Sequence, residues 1–112
     1  MSNSQLYKGS LQTIILNLLK EEGKMYGYEI TQKIKLLSSN DLNIKEGALY
    51  PALHKLEAQG YLTTSAKRVD NRVRKYYELT VDGETETVNR IQELKNYLQD
   101  MEQLLHLKPR MA

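Results

Sequence analysis

Apolar and polar positions alternate with two different periods along the chain, and the change of period divides it. Leu11, Ile14, Ile15, Leu18 and Leu19 recur at i, i+3, i+4 and i+7, the spacing of one helical face. They predict a first helix over 10–22, with Ser10 as N-cap and Gly23 as its stop. Tyr26, Ile30, Ile34 and Leu37 line one side of a second helix over 26–38, with Lys33 and Lys35 opposite. The run Ser38-Ser39-Asn40-Asp41 reads as a loop. Leu49, Ala52, Leu53 and Leu56 form the inner stripe of a third helix over 46–59, stopped by Gly60. Pro51 fits that helix if it falls in the first turn, where its missing N–H has no intrahelical acceptor. The outer face then carries Glu46, Gly47, Tyr50, His54 and Lys55.

From Tyr61 the period shifts to two. Tyr61–Ala66 and Val73–Leu79 are rich in Thr, Val and Tyr, and read as two strands. Between them, Lys67 to Arg72 includes Asp70-Asn71, a pair that tolerates positive φ and closes a hairpin. Thr80 then caps a long helix over about 81–107, with Asp82 and Glu84 in the first turn, where the helix dipole favours acids. At about 1.5 Å per residue it is roughly 40 Å long, more than an 80-residue globule can cover. Its apolar positions nevertheless continue through Ile91, Leu94, Leu98, Met101 and Leu105, a 3-4-3-4 seam widened by Val88, Tyr97 and Leu104. A helix so striped needs a partner, and the same helix in a second copy is the simplest one. The expected organisation is a domain over 1–80 and a dimerisation helix over 81–112. The expected fold is mainly α with a β-hairpin wing: a winged helix-turn-helix.

Charge sharpens this picture. The chain has 112 residues and a net charge of +2. Residues 45–77 hold seven Lys and Arg against three acids, whereas 78–112 hold four against seven. Five of the cations, Lys67, Arg68, Arg72, Arg74 and Lys75, fall within nine residues of the hairpin. A concentrated positive charge beside a slim polar helix suits double-stranded DNA, whose backbone carries a negative charge about every 1.7 Å.

Other chemistry is poorly provided for. With no Cys and two His, no nucleophile–base pair can be named and no enzyme activity is expected. Glu102 and His106 are one helical turn apart, but two ligands without a third make no metal site; no metal or other cofactor is expected. Forty per cent apolar content is spread without a run approaching the 18 or so residues of a membrane span. The Met1–Gln5 start lacks the basic and apolar regions of a secretion signal. A cytoplasmic protein without membrane contact is therefore expected.

Several short runs carry a resemblance. Gly27-Tyr28-Glu29-Ile30, the run Glu46-Gly47-Ala48-Leu49-Tyr50-Pro51-Ala52-Leu53, Leu56-Glu57-Ala58-Gln59-Gly60-Tyr61-Leu62, and Arg74-Lys75-Tyr76-Tyr77-Glu78-Leu79-Thr80 with Gly83 resemble the PadR family of bacterial transcriptional regulators. The likeness covers about residues 6–108, and the single terminal helix resembles the family's short subgroup. It implies a homodimeric repressor of a pseudo-palindromic operator, released by a small-molecule or stress effector. It also implies that Lys45, Tyr50, His54, Lys55 and the five wing cations face DNA. Aromatic or lipophilic effectors of the family point to Gln12, Thr13, Leu16, Arg90, Leu94 and Leu98. This chain has no Trp, so an aromatic sandwich built on that residue is excluded. It also has Asn71-Arg72-Val73 where the family often has Gly and Pro at the return turn, so a longer or differently bent wing is expected.

Two rival readings remain at this stage: a winged helix that docks proteins, and a ligand carrier without operator binding. Three tyrosines have two readings each. Tyr50 is surface packing or a DNA contact, its outer position favouring contact. Tyr28 reads first as packing between helices and second as a phosphate hydroxyl. Tyr76 and Tyr77 point to opposite faces of a strand, so one belongs to the core.

Overall fold

The computed structural model describes residues 7–107; the readings made on Met1–Gln5 and on the chain beyond 107 lie outside it. A 3₁₀ turn at Lys8–Ser10 leads into α1 (Leu11–Glu22). There follow β1 (Met25–Tyr26), α2 (Gly27–Leu37), α3 (Glu46–Ala58), β2 (Leu62–Val69), β3 (Arg72–Leu79) and α4 (Val81–Leu105). The three strands form one antiparallel sheet in the order β1-β3-β2. No helix among the described residues is long and apolar enough to cross a membrane.

The core forms where α1 meets α3, the sheet and the root of α4. Ile15, Leu16, Leu19, Ile30, Leu49, Leu53, Leu56 and Tyr77 are essentially inaccessible to water there. α1 is wrapped on several sides, so Leu16 is buried as fully as Ile15 although it lies off the predicted stripe. On α2 the stripe is shorter than predicted: Ile30 and Ile34 are buried, but Leu37 is 64% exposed because the helix has run past the edge of the core.

Three local expectations change. Ser10 stands at the N-cap of α1, but its hydroxyl caps nothing; the preceding 3₁₀ turn supplies the entry instead. Pro51 is the sixth residue of α3, hence in the second turn. It deprives the Gly47 carbonyl of a donor, and the helix accommodates this because Gly47 and Pro51 both face solvent. β1 escaped notice because it is two residues long and exists only through pairing, Met25 with Tyr77 and Tyr26 with Tyr76.

The start of α4 is held tightly. The Gly83 N–H donates to Thr80 Oγ1 at 3.0 Å, and that hydroxyl donates to the Gly60 carbonyl at 2.7 Å. A Cβ on Gly83 would run into the Tyr61 carbonyl, so the close approach of helix and chain requires glycine. One turn on, the fully buried Thr87 hydroxyl donates to the Gly83 carbonyl at 2.7 Å. Beyond that root α4 leaves the globule, and the molecule measures 58 × 32 × 24 Å.

Candidate nucleic-acid interface

One cleft takes residues from both the wing and α3: Arg72, Arg74 and Lys75 line it together with Tyr50. In the hairpin, Asp70 and Asn71 adopt φ of +50° and +62°. Two consecutive left-handed residues are what a tight turn matching the twist of the strands needs, so the turn pair identified in the sequence is the turn itself. The strands extend to Val69 and resume at Arg72, placing Lys67, Arg68 and Arg72 on regular strand rather than in a loop.

Register assigns each cation to a face. Lys67 lies opposite Arg74, and Val69 opposite Arg72, on the face that carries Tyr76. Arg68 lies opposite Val73, and Lys75 opposite Ala66, on the face that carries the buried Tyr77. Two like charges directly opposite in a sheet are destabilising unless an anion lies between them. The Lys67–Arg74 pair is thus an arrangement that stability alone disfavours.

The two neighbouring cations of the return strand have different surroundings. The Arg74 guanidinium lies 4.4 Å from the centre of the Tyr26 ring, and Tyr26 meets Tyr76 edge-on at 5.4 Å. Lys75 turns the other way. Its Nζ lies 3.7 Å from Glu57 Oε1 on α3 and 5.3 Å from the Tyr77 ring centre. Burial raises the Tyr77 phenol above its ordinary 10.0, and the nearby Lys75 ammonium offsets this only in part.

On α3, His54 and Lys55 are exposed, and Lys45 is exposed at its N-cap. Tyr50 is half-buried with its ring tilted toward His54. Its hydroxyl lies over Gly27, where any side chain would collide with it; Tyr50 therefore packs on the start of α2 while part of it stays exposed. Ala48, Pro51 and Ala58 share the exposed side. Sequence reasoning took Pro51 only as a constraint on the helix start and passed over the two alanines, because small residues carry no chemistry; together they keep that side of the helix low.

Tyr28 corrects an expectation. It is 64% exposed and does not pack between helices. Tyr26, Tyr28 and Tyr50 line an open cleft of about 530 Å³ between the start of α2 and the free side of β3, which contributes Arg72, Arg74 and Lys75. The sequence signal for it was the density of Tyr around Gly27, but only the strand pairing brings Arg74 there.

The seam of α4 divides by position. Ile91, Leu94 and Met101 are half-buried, while Leu98 and Leu105 are more than half exposed. Of the residues assigned to an effector, Gln12 and Arg90 meet directly: Arg90 Nη1 donates to Gln12 Oε1 at 2.8 Å. Its Nε donates to Glu86 Oε2 at 2.6 Å, and the guanidinium lies over the Tyr61 ring at 5.6 Å. Thr13, Arg90 and Leu94 line a shallow groove of about 350 Å³ with Gly9, Ser10 and Glu93. Leu16 does not reach it, being buried in the core, and Leu98 lies a turn further along α4.

Known proteins agree with this architecture. Residues 15–89 match the family described as "Transcriptional regulator PadR-like family". A transcriptional regulator from Clostridium thermocellum superposes with a TM-score of 0.82 at 31% identity, over 92% of this chain and 97% of that one. A PadR-like transcription factor from Bacteroides fragilis gives 0.73 at 31% identity, over 90% and 95%. The transcriptional regulator Rv3488 of Mycobacterium tuberculosis is 37% identical over 62 residues, 55% of each chain. Helices, hairpin and trailing helix thus follow established regulators, not enzymes, over nearly their whole length, and the chain belongs to the PadR-like family of transcriptional regulators.

Proposed function

We propose that the protein is a homodimeric, sequence-specific DNA-binding repressor. α3 enters the major groove with His54, Lys55 and Tyr50. Lys45 and the wing cations hold the phosphate backbone on either side. The observation that carries the reading is the concentration of cations on the hairpin, with Lys67 opposite Arg74 in register and Arg72, Arg74 and Lys75 lining one cleft with Tyr50 of α3, a positive arrangement that suits a polyanion. The repressor role rests on the family.

Dimerisation through α4 is supported by Leu98 and Leu105, which a 25-residue helix carries out of its own domain and into water. Covering the exposed half of such side chains yields about 1 kcal/mol each. The two readers would then meet half-sites about one helical turn apart. The groove beside Gln12 and Arg90 is the place for a small aromatic or lipophilic effector, bounded in a dimer by the partner's helix.

Fluorescence anisotropy on duplexes from the promoter upstream of the protein's own gene tests the reading. A contact set of this size gives log K falling against log salt with a slope of several units. A flat response removes the DNA-binding claim.

A further inference from the structure

The geometry points to the cleft between the wing and the start of α2 as the seat of one phosphate of the DNA backbone, with Arg74 as its preset cation and Tyr26 as the residue that positions it. The inference rests on the DNA-binding reading and deepens it.

Long cationic side chains on a strand ordinarily sweep a wide volume, and fixing one on binding costs rotamer entropy. Arg74 is held in this wing without being neutralised, whereas Lys75 is held by a carboxylate. Its guanidinium is laid on the Tyr26 face at 4.4 Å, and Tyr26 is in turn buttressed edge-on by Tyr76 at 5.4 Å. The Tyr26 backbone is held as well, its N–H donating to Glu29 Oε1 at 3.1 Å. A cation over a ring is held by the ring's quadrupole and uses up no carboxylate partner, so the guanidinium's N–H groups remain to donate to an anion.

The surroundings suit a phosphate. The cleft lies where β1 has ended and β3 has no neighbour on that side, since β1 pairs only with Tyr76 and Tyr77. Arg72 and the phenols of Tyr28 and Tyr50 share its walls. It contains no carboxylate lining residue. Lys75 also lines the cleft but is paired with Glu57, 3.7 Å away, whereas Arg74 and Arg72 have no ion-pair partner among the described residues. A phosphate could come from DNA or from a free nucleotide; the position beside the exposed side of α3 favours the backbone of a duplex.

The test uses the full-length protein and a 30-base-pair duplex of mixed sequence, because a backbone contact is independent of sequence. Arg74→Gln is expected to lower the salt slope by about one and weaken binding. Arg74→Lys should keep the slope but weaken binding about three-fold, since an ammonium cannot stack as a plane. Tyr26→Leu should weaken binding by a similar factor and leave the slope unchanged, while Tyr26→Phe, which keeps the ring, should restore it. The combined Tyr26→Leu, Arg74→Gln protein should bind no more weakly than Arg74→Gln alone.

Multiplying effects in that combination would mean that Tyr26 does not act through Arg74, and would overturn the assignment. So would full affinity in both arginine variants. A wild-type protein indifferent to the duplex would instead remove the DNA-binding reading itself. AMP serves as the free-anion probe, followed by tyrosine ring signals in NMR. Shifts on adding duplex but not sub-millimolar AMP support the seat as assigned. Saturation by AMP without competition from the duplex would give the cleft to a nucleotide and overturn the DNA assignment.

Discussion

Single residues in this fold are constrained more by neighbouring backbone than by their own chemistry. Gly83 meets the Tyr61 carbonyl, a group held in place by the Thr80 N–H at 3.0 Å. Neither side can give way cheaply, so Gly83→Ala should lower stability by about 1–3 kcal/mol, read as a shift in the urea midpoint at constant slope. Tyr77 gives a pH dependence. Its folded-state pKa lies above the ordinary 10.0 because burial disfavours the phenolate. Below pH 10 both states keep the proton and stability is unaffected. Above it the unfolded chain loses the proton first, so stability falls as pH rises. Thermal melts between pH 9 and 11 should show this fall, and Tyr77→Phe should reduce its steepness.

At the scale of elements, the proposed function gives the hairpin and α3 different shares of recognition. The hairpin is stiff because its turn takes two consecutive left-handed residues and its strands pair without interruption from Leu62–Leu79 to Val69–Arg72. Lys67→Gln should therefore weaken binding to all duplexes alike and lower the salt slope by about one. His54→Ala should instead change the preference between sequences, by roughly 1–3 kcal/mol at the base it reads. The reverse pattern in a panel of duplexes would exchange the roles given to the wing and the helix.

For the whole molecule the decisive feature is the direction of α4. The Thr80 hydroxyl, donating to the Gly60 carbonyl, ties the start of α4 to the turn before β2, and Arg90, donating to Gln12, ties it to α1, so the free part points where the domain points it. A dimer joined through that part would hold its two wings at a set separation. Leu98→Glu, which places a charge in the apolar seam, should shift sedimentation from dimer toward monomer while leaving the helical circular dichroism of the domain nearly unchanged. A dimer mass that survives the substitution would place the contact elsewhere.

Much of this was legible in one dimension. Helix stripes, the turn at Asp70-Asn71 and the cap at Thr80 depend on residues close in sequence, and local propensity with period-specific patterning identifies them without knowledge of the rest. The order of elements and the basic hairpin followed, and with them the family. Tertiary structure decided what depends on distant partners. β1 exists only because β3 lies beside it, Leu16 is buried because α1 is enclosed on more sides than a single stripe implies, and Tyr28 is bare because its helix starts at the rim of the core. Arg74 and Lys75, adjacent in the chain, were given opposite company for the same reason: a strand sends successive side chains to opposite faces, and what waits on each face is set by elements about 20 to 50 residues away.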